Sequence, residues 1–88
     1  MNCLIAYDIT EPRRLRRVAK VMMKYGIRIE KSVFTCDLAP PKVVKLCGEL
    51  GKCSRKEDTI LLFQLPANVK CISIRGRLPM QEAQEVYA

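Results

Sequence analysis

Histidine and tryptophan are absent from this chain of 88 residues, and its aromatics are three tyrosines and two phenylalanines. Without histidine the most common general base is missing, and with it the Ser-His-Asp and Cys-His arrangements of nucleophilic catalysis. No Cys-x-x-Cys pair occurs, so a structural zinc site lacks its usual spacing. The five cysteines (Cys3, Cys36, Cys47, Cys53, Cys71) are an odd number without a regular framework, which argues against disulfides. Cys3, Cys47 and Cys71 fall at apolar-periodic positions, where a free thiol packs as a small hydrophobe. No apolar run approaches the ~20 residues that cross a bilayer. The opening Met-Asn-Cys-Leu-Ile has no basic n-region, so it does not read as a signal peptide. The expected location is cytoplasmic, with no membrane.

What is present is basic charge, concentrated in one place. The net charge is +7. Between Thr10 and Lys31 stand Arg13, Arg14, Arg16, Arg17, Lys20, Lys24, Arg28 and Lys31 against Glu11 and Glu30 alone. Charge gathered on one element is the footprint of a polyanion-binding surface. The length allows a single domain, 1–88. A chain this short buries only about 60–65% of its unfolded surface, so oligomerisation is a natural source of the missing burial.

Hydrophobic periodicity gives the elements. Residues 2–7 form a continuous apolar run, as in a strand buried on both faces, ending on Asp8. Thr10 is placed to cap a helix that Pro12 enters at its first turn. Leu15, Val18, Ala19 and Met22 are its core stripe, and Gly26 is expected to end it in a left-handed conformation. Residues 27–38 are extended, with a kink, a bulge or a meeting of two strands near Glu30-Lys31-Ser32. Pro40-Pro41 opens a second helix with Val43, Leu46, Cys47 and Leu50 inward and Gly51 as its stop. Residues 59–65 are the most apolar strand, and 69–74 form a further one. The order β-α-β(β)-α-β-β implies an α+β, ferredoxin-like βαββαβ sandwich with an extra C-terminal strand. That strand extends its own sheet or covers a partner's edge.

Two sets of residues could carry chemistry. Asp8 lies at the end of the first strand beside the basic helix. One reading makes it a helix cap together with Thr10. The other makes it a Mg²⁺ ligand, which gains strength if two copies face each other across a dimer axis, because Mg²⁺ is usually held by one or two carboxylates with water and phosphate. Arg13, Arg14, Arg16, Arg17 and Lys20 form a stripe suited to phosphate. Against this stand a merely solvated face and a membrane-surface helix, the latter weakened by the lack of Trp and Phe on its apolar side.

Tyr7-Asp8-Ile9, the Arg-rich helix, Lys24-Tyr25-Gly26 and Lys31-Ser32-Val33-Phe34 stand in order and at the right spacing. They closely resemble the second universal CRISPR-associated protein family, the small CRISPR adaptation protein, which is CRISPR-associated endoribonuclease-like. Thr35-Cys36 stands where members often have Glu-Gly, and Glu30 where glutamine is frequent. The resemblance implies a homodimer whose C-terminal strand crosses to its partner. It also implies a scaffold on double-stranded DNA that partners the CRISPR integrase in spacer acquisition. In some members it further implies Mg²⁺-dependent cleavage of single-stranded RNA or double-stranded DNA by the aspartate matching Asp8. A stand-alone toxin-type endoribonuclease of the virulence-associated protein D kind is the alternative, and a ferredoxin-like regulatory domain is a third.

Overall fold

A computed structural model describes residues 1–70 and 72–76, and the backbone of 85–86. Strands β1 (Asn2–Asp8), β2 (Ile27–Glu30), β3 (Val33–Asp37) and β4 (Thr59–Leu65) alternate with helices α1 (Pro12–Tyr25) and α2 (Pro40–Cys53). The four strands form one antiparallel sheet in the order β2-β3-β1-β4, the ferredoxin-like arrangement expected. Both helices cover the same face. The core between them and the sheet holds Cys3, Ile5, Tyr7, Phe34 and Cys36 from the strands, Val18 and Met22 from α1, and Val43, Leu46 and Leu50 from α2. The 27–38 stretch resolves into two strands with a tight turn and a register shift between Arg28 and Glu30.

Local signals are corrected at several points. The α1 cap is Glu11, not Thr10: its carboxylate accepts the backbone N–H groups of Arg13 at 2.8 Å and Arg14 at 3.1 Å. Those bonds, the Arg13 one foremost, hold the Glu11 carboxyl below its usual range. Gly26 is extended, with φ −155°. Glycine serves there for close approach, because a Cβ would collide with the Thr35 carbonyl oxygen and lie 3.0 Å from the Cys36 Cβ. Helix α2 runs past Gly51 to Cys53 and closes where the Ser54 hydroxyl donates to the Leu50 carbonyl at 2.8 Å. Cys47 is exposed, since Val43, Leu46 and Leu50 alone make the seam. Among the described residues, the strand expected over 69–74 is found as β5 (Ile72–Ser73) alone. It pairs in parallel with β6 (Glu85–Val86) in a separate small sheet and does not extend the four-stranded one. Cys71 lies outside the described residues.

The sheet's other face is the main departure. The apolar run of β1 reads as a strand buried on both sides, yet burial alternates along it, and along the equally apolar β4 it alternates from Thr59 to Phe63. Leu4 stands beside Phe63 on one side and Thr35 on the other, and Thr35 beside Ile27; Ala6 stands between Leu61 and Val33. These rows form an open apolar face on which Leu61, Phe63 and Ile27 are each about half exposed. A cleft of about 540 Å³ opens on it, lined by Leu4, Ile27, Ile29, Thr35, Leu65 and Val69 among others.

Candidate functional site

Side chains on a strand point alternately to its two faces. Cys3, Ile5 and Tyr7 point into the core, so Leu4, Ala6 and Asp8 share the open face. Asp8 is exposed at the end of that row, opposite Thr59 of β4. Nearby Tyr7 is held firmly. Its backbone N–H donates to the Ser32 carbonyl at 3.0 Å, its hydroxyl to the Lys31 carbonyl at 3.3 Å, and its ring stacks on Phe34 at 6.3 Å. The hairpin turn at Lys31-Ser32 is thereby bound to the strand end that carries Asp8. Ser32 acts through its backbone carbonyl.

The basic residues divide into two groups. Arg13, Arg16, Arg17 and Lys20 are exposed at i, i+3, i+4 and i+7, a single stripe along α1. Arg14 is turned away from that stripe. Its Nε and Nη2 donate to the two carboxylate oxygens of Asp58 at 2.8 and 3.1 Å. Further along, Lys24 donates to Glu49 of α2 at 3.2 Å, and Arg28 lies over the Phe34 ring at 5.1 Å. Four of the five residues singled out on α1 are therefore presented together. Because α1 packs on the core face, the stripe and Asp8 lie on opposite sides of the sheet. The structure does not bring them into one cleft.

Sequence reasoning missed Asp58. It lies 44 residues from Arg14, and no local pattern links the two. Its side chain is 2% exposed and accepts a third hydrogen bond, from the Arg55 backbone N–H at 2.8 Å. The Arg14 guanidinium, aided by that N–H, holds the Asp58 carboxyl below its usual range. Cys36 offers no competing nucleophile: burial beside Cys3 pushes its thiol up to about 11, which keeps it protonated and inert at neutral pH. Among the described residues no three His, Cys, Asp or Glu side chains are grouped to hold a metal ion. None of the described helices is long and apolar enough to cross a membrane.

The family model described as CRISPR associated protein Cas2 matches residues 1–70. The chain belongs to this family. Relatives extend the match along the whole chain. The protein named CRISPR-associated endoribonuclease Cas2 1 of Chloroflexus aurantiacus is 35% identical, over 99% of this chain and 98% of its own length. CRISPR-associated endoribonuclease Cas2 of Chlorobaculum tepidum is 36% identical over 97% and 90%. The crystal structure of Streptococcus pyogenes Cas2 superposes with a TM-score of 0.72 at 34% identity, covering 77% of this chain and 89% of that one. Another Cas2 crystal structure, at 24% identity and a TM-score of 0.78, shares the fold. The resemblance seen in Tyr7-Asp8-Ile9 and the arginine-rich helix is that of this CRISPR-associated family.

Proposed function

We propose that this Cas2 family member works as a homodimer in CRISPR adaptation, as a scaffold for double-stranded DNA that partners the CRISPR integrase, and that it retains a Mg²⁺-dependent endonuclease activity. The observation that carries the reading is the shared face of Asp8 and the open apolar rows. Two copies packed through that face cover Leu4, Leu61 and Phe63, and a two-fold axis there gives Asp8 a symmetric mate on the same face. The stripe of Arg13, Arg16, Arg17 and Lys20, on the far side of each sheet, stays open to a phosphate backbone.

One chain supplies a single exposed carboxylate at Asp8, not a metal cage. Mg²⁺ accepts one or two carboxylates together with waters and substrate phosphate oxygens. The donor set of two Asp8 side chains therefore fits weak, substrate-assisted binding. When bound, the ion would supply an activated water and offset charge developing on the phosphodiester. The chain's own part is to place the two carboxylates. The four exposed cations of α1 bind backbone without reading sequence. Nuclease activity on RNA is supported by the names of the relatives, and a second substrate, duplex DNA, by the basic stripe.

The test is Asp8→Asn, which keeps the side chain's shape and removes its charge. The expected result is loss of Mg²⁺-dependent cleavage of labelled RNA and DNA. The dimer, and duplex affinity at moderate salt, should remain. Cleavage that survives in the variant moves the chemistry elsewhere. Loss of duplex binding would refute the separation of scaffold from carboxylate.

A further inference from the structure

Arg14 sits in the middle of the basic segment and is already saturated by acids. Its side chain is 21% exposed and meets three carboxylates: Asp58 through the two-bond fork, Glu57 at 3.3 Å from Nη2, and Glu11 at 3.8 Å from Nη1. A planar guanidinium held bidentately by one carboxylate and flanked by two more has little left to offer a phosphate. Asp58 is equally committed, with Arg14 on one side and the Arg55 N–H on the other.

These bonds close a ring through the fold. Asp8 is the register partner of Thr59 across β1 and β4, and Asp58 is the residue before Thr59. Arg14 ties Asp58 to the first turn of α1. Only Ile9, Thr10 and Glu11 join that turn back to Asp8, and Glu11 is spent capping the helix. Ile9 is buried, so the short connection is held at its start by Ile9 and at its end by the Glu11 cap. Asp8 stands at the end of β1, where this ring closes.

We infer that the Arg14–Asp58 fork is the positioning element for Asp8, and that Arg14, unlike its four neighbours, makes no contact with nucleic acid. The inference rests on the reading of Asp8 as the nuclease carboxylate. Lysine keeps the charge at position 14 but is a point donor without the fork. It would hold Asp58 while releasing the angle between α1 and β4.

The experiment compares wild type, Asp8→Asn, Arg13→Gln, Arg14→Lys and Arg14→Gln dimers. It measures kcat and KM for Mg²⁺-dependent cleavage of labelled RNA, and the salt slope of duplex DNA affinity. Arg14→Lys is expected to lower kcat by about tenfold to a hundredfold, the scale of an ångström-sized misplacement, with KM within about twofold of wild type. Arg14→Gln should keep the wild-type salt slope, whereas Arg13→Gln should reduce it by about 0.9. A wild-type kcat in Arg14→Lys would make the fork a stabilising contact only. A slope reduced by about 0.9 in Arg14→Gln would make Arg14 a phosphate ligand. Either result overturns the inference and leaves the Asp8 reading intact. A wild-type dimer that cleaves nothing overturns the Asp8 reading itself, and the positioning role with it.

Discussion

Replacing Phe63 by threonine removes a ring that is 49% exposed in the single chain and stands beside Leu4 on the open sheet face. Threonine suits a strand, and an exposed substitution away from special features usually changes fold stability by no more than about 0.5 kcal/mol. The loss should therefore appear in association. A phenylalanine side chain offers about 150–250 Å² to burial, so roughly 100 Å² remains for a partner to cover. At about 25 cal/mol per Å² that is about 2.5 kcal/mol per copy. A symmetric dimer counts it twice, up to about 5 kcal/mol. The entropic cost of association is common to both proteins and cancels in the comparison. At about 1.4 kcal/mol per decade, the dimer dissociation constant should rise by about three orders of magnitude. Sedimentation over a concentration series measures it. Val44→Ala, on the outer side of α2 where Val44 is 73% exposed, is the control and should leave the dimer unchanged. An unaltered constant in Phe63→Thr, or a wild type that stays monomeric at low micromolar concentration, would refute the reasoning.

Three other outcomes follow from the same geometry. Replacing Arg13, Arg16 and Arg17 by alanine should weaken all duplexes similarly and flatten the salt dependence by about 0.9 per lost phosphate contact; an unchanged slope would make the stripe ordinary solvated surface. Gly26→Ala must displace the Thr35 carbonyl, and should cost about 1–3 kcal/mol in chemical denaturation, whereas Gly48→Ala meets open space and should gain about 0.5–1 kcal/mol. Asp58 has its pKa depressed in the folded state, chiefly by Arg14. Its contribution is therefore present above the ordinary aspartate value and is lost as pH falls through the lower folded one. Asp58→Asn should flatten the acid side of the stability profile, measured by denaturation from pH 6 downward, and an acid limb as steep as wild type would remove Asp58 from that account.

Both helices and most of the core are legible because each rests on local periodicity, and the sheet order because the sequence of elements fits the ferredoxin-like arrangement. Leu15, Val18, Ala19 and Met22 occupy the inner side of α1 as their spacing requires. Cys47 broke the same rule in α2, because a stripe only three residues wide leaves the fourth periodic position on the flank. Arg14 was not separable from Arg13 by any local signal. Its role depends on Asp58, which only the folding of α2 and β4 brings to it. The strand expected over 69–74 is longer than the one found, since a strand needs a neighbouring edge and, among the described residues, the small β5–β6 pairing engages Ile72 and Ser73 alone.

The runs in β1 and β4 are the more instructive case. A strand with water on one face alternates polar and apolar residues, while a strand covered on both faces does not. Leu4, Ala6, Leu61 and Phe63 are apolar where a solvated face calls for polar side chains, yet α1 and α2 both lie on the other side. Sequence and single-chain structure agree if the second cover comes from another molecule. The proposed symmetric copy would meet that need through the same rows, and in doing so would convert a lone Asp8 into a pair. The pattern thus links the proposed dimer to the proposed carboxylate site: Phe63→Thr should weaken Mg²⁺-dependent cleavage in proportion to the dimer lost, and raising the protein concentration should restore it. Cleavage independent of protein concentration in that variant would separate the two and place the activity in the single chain.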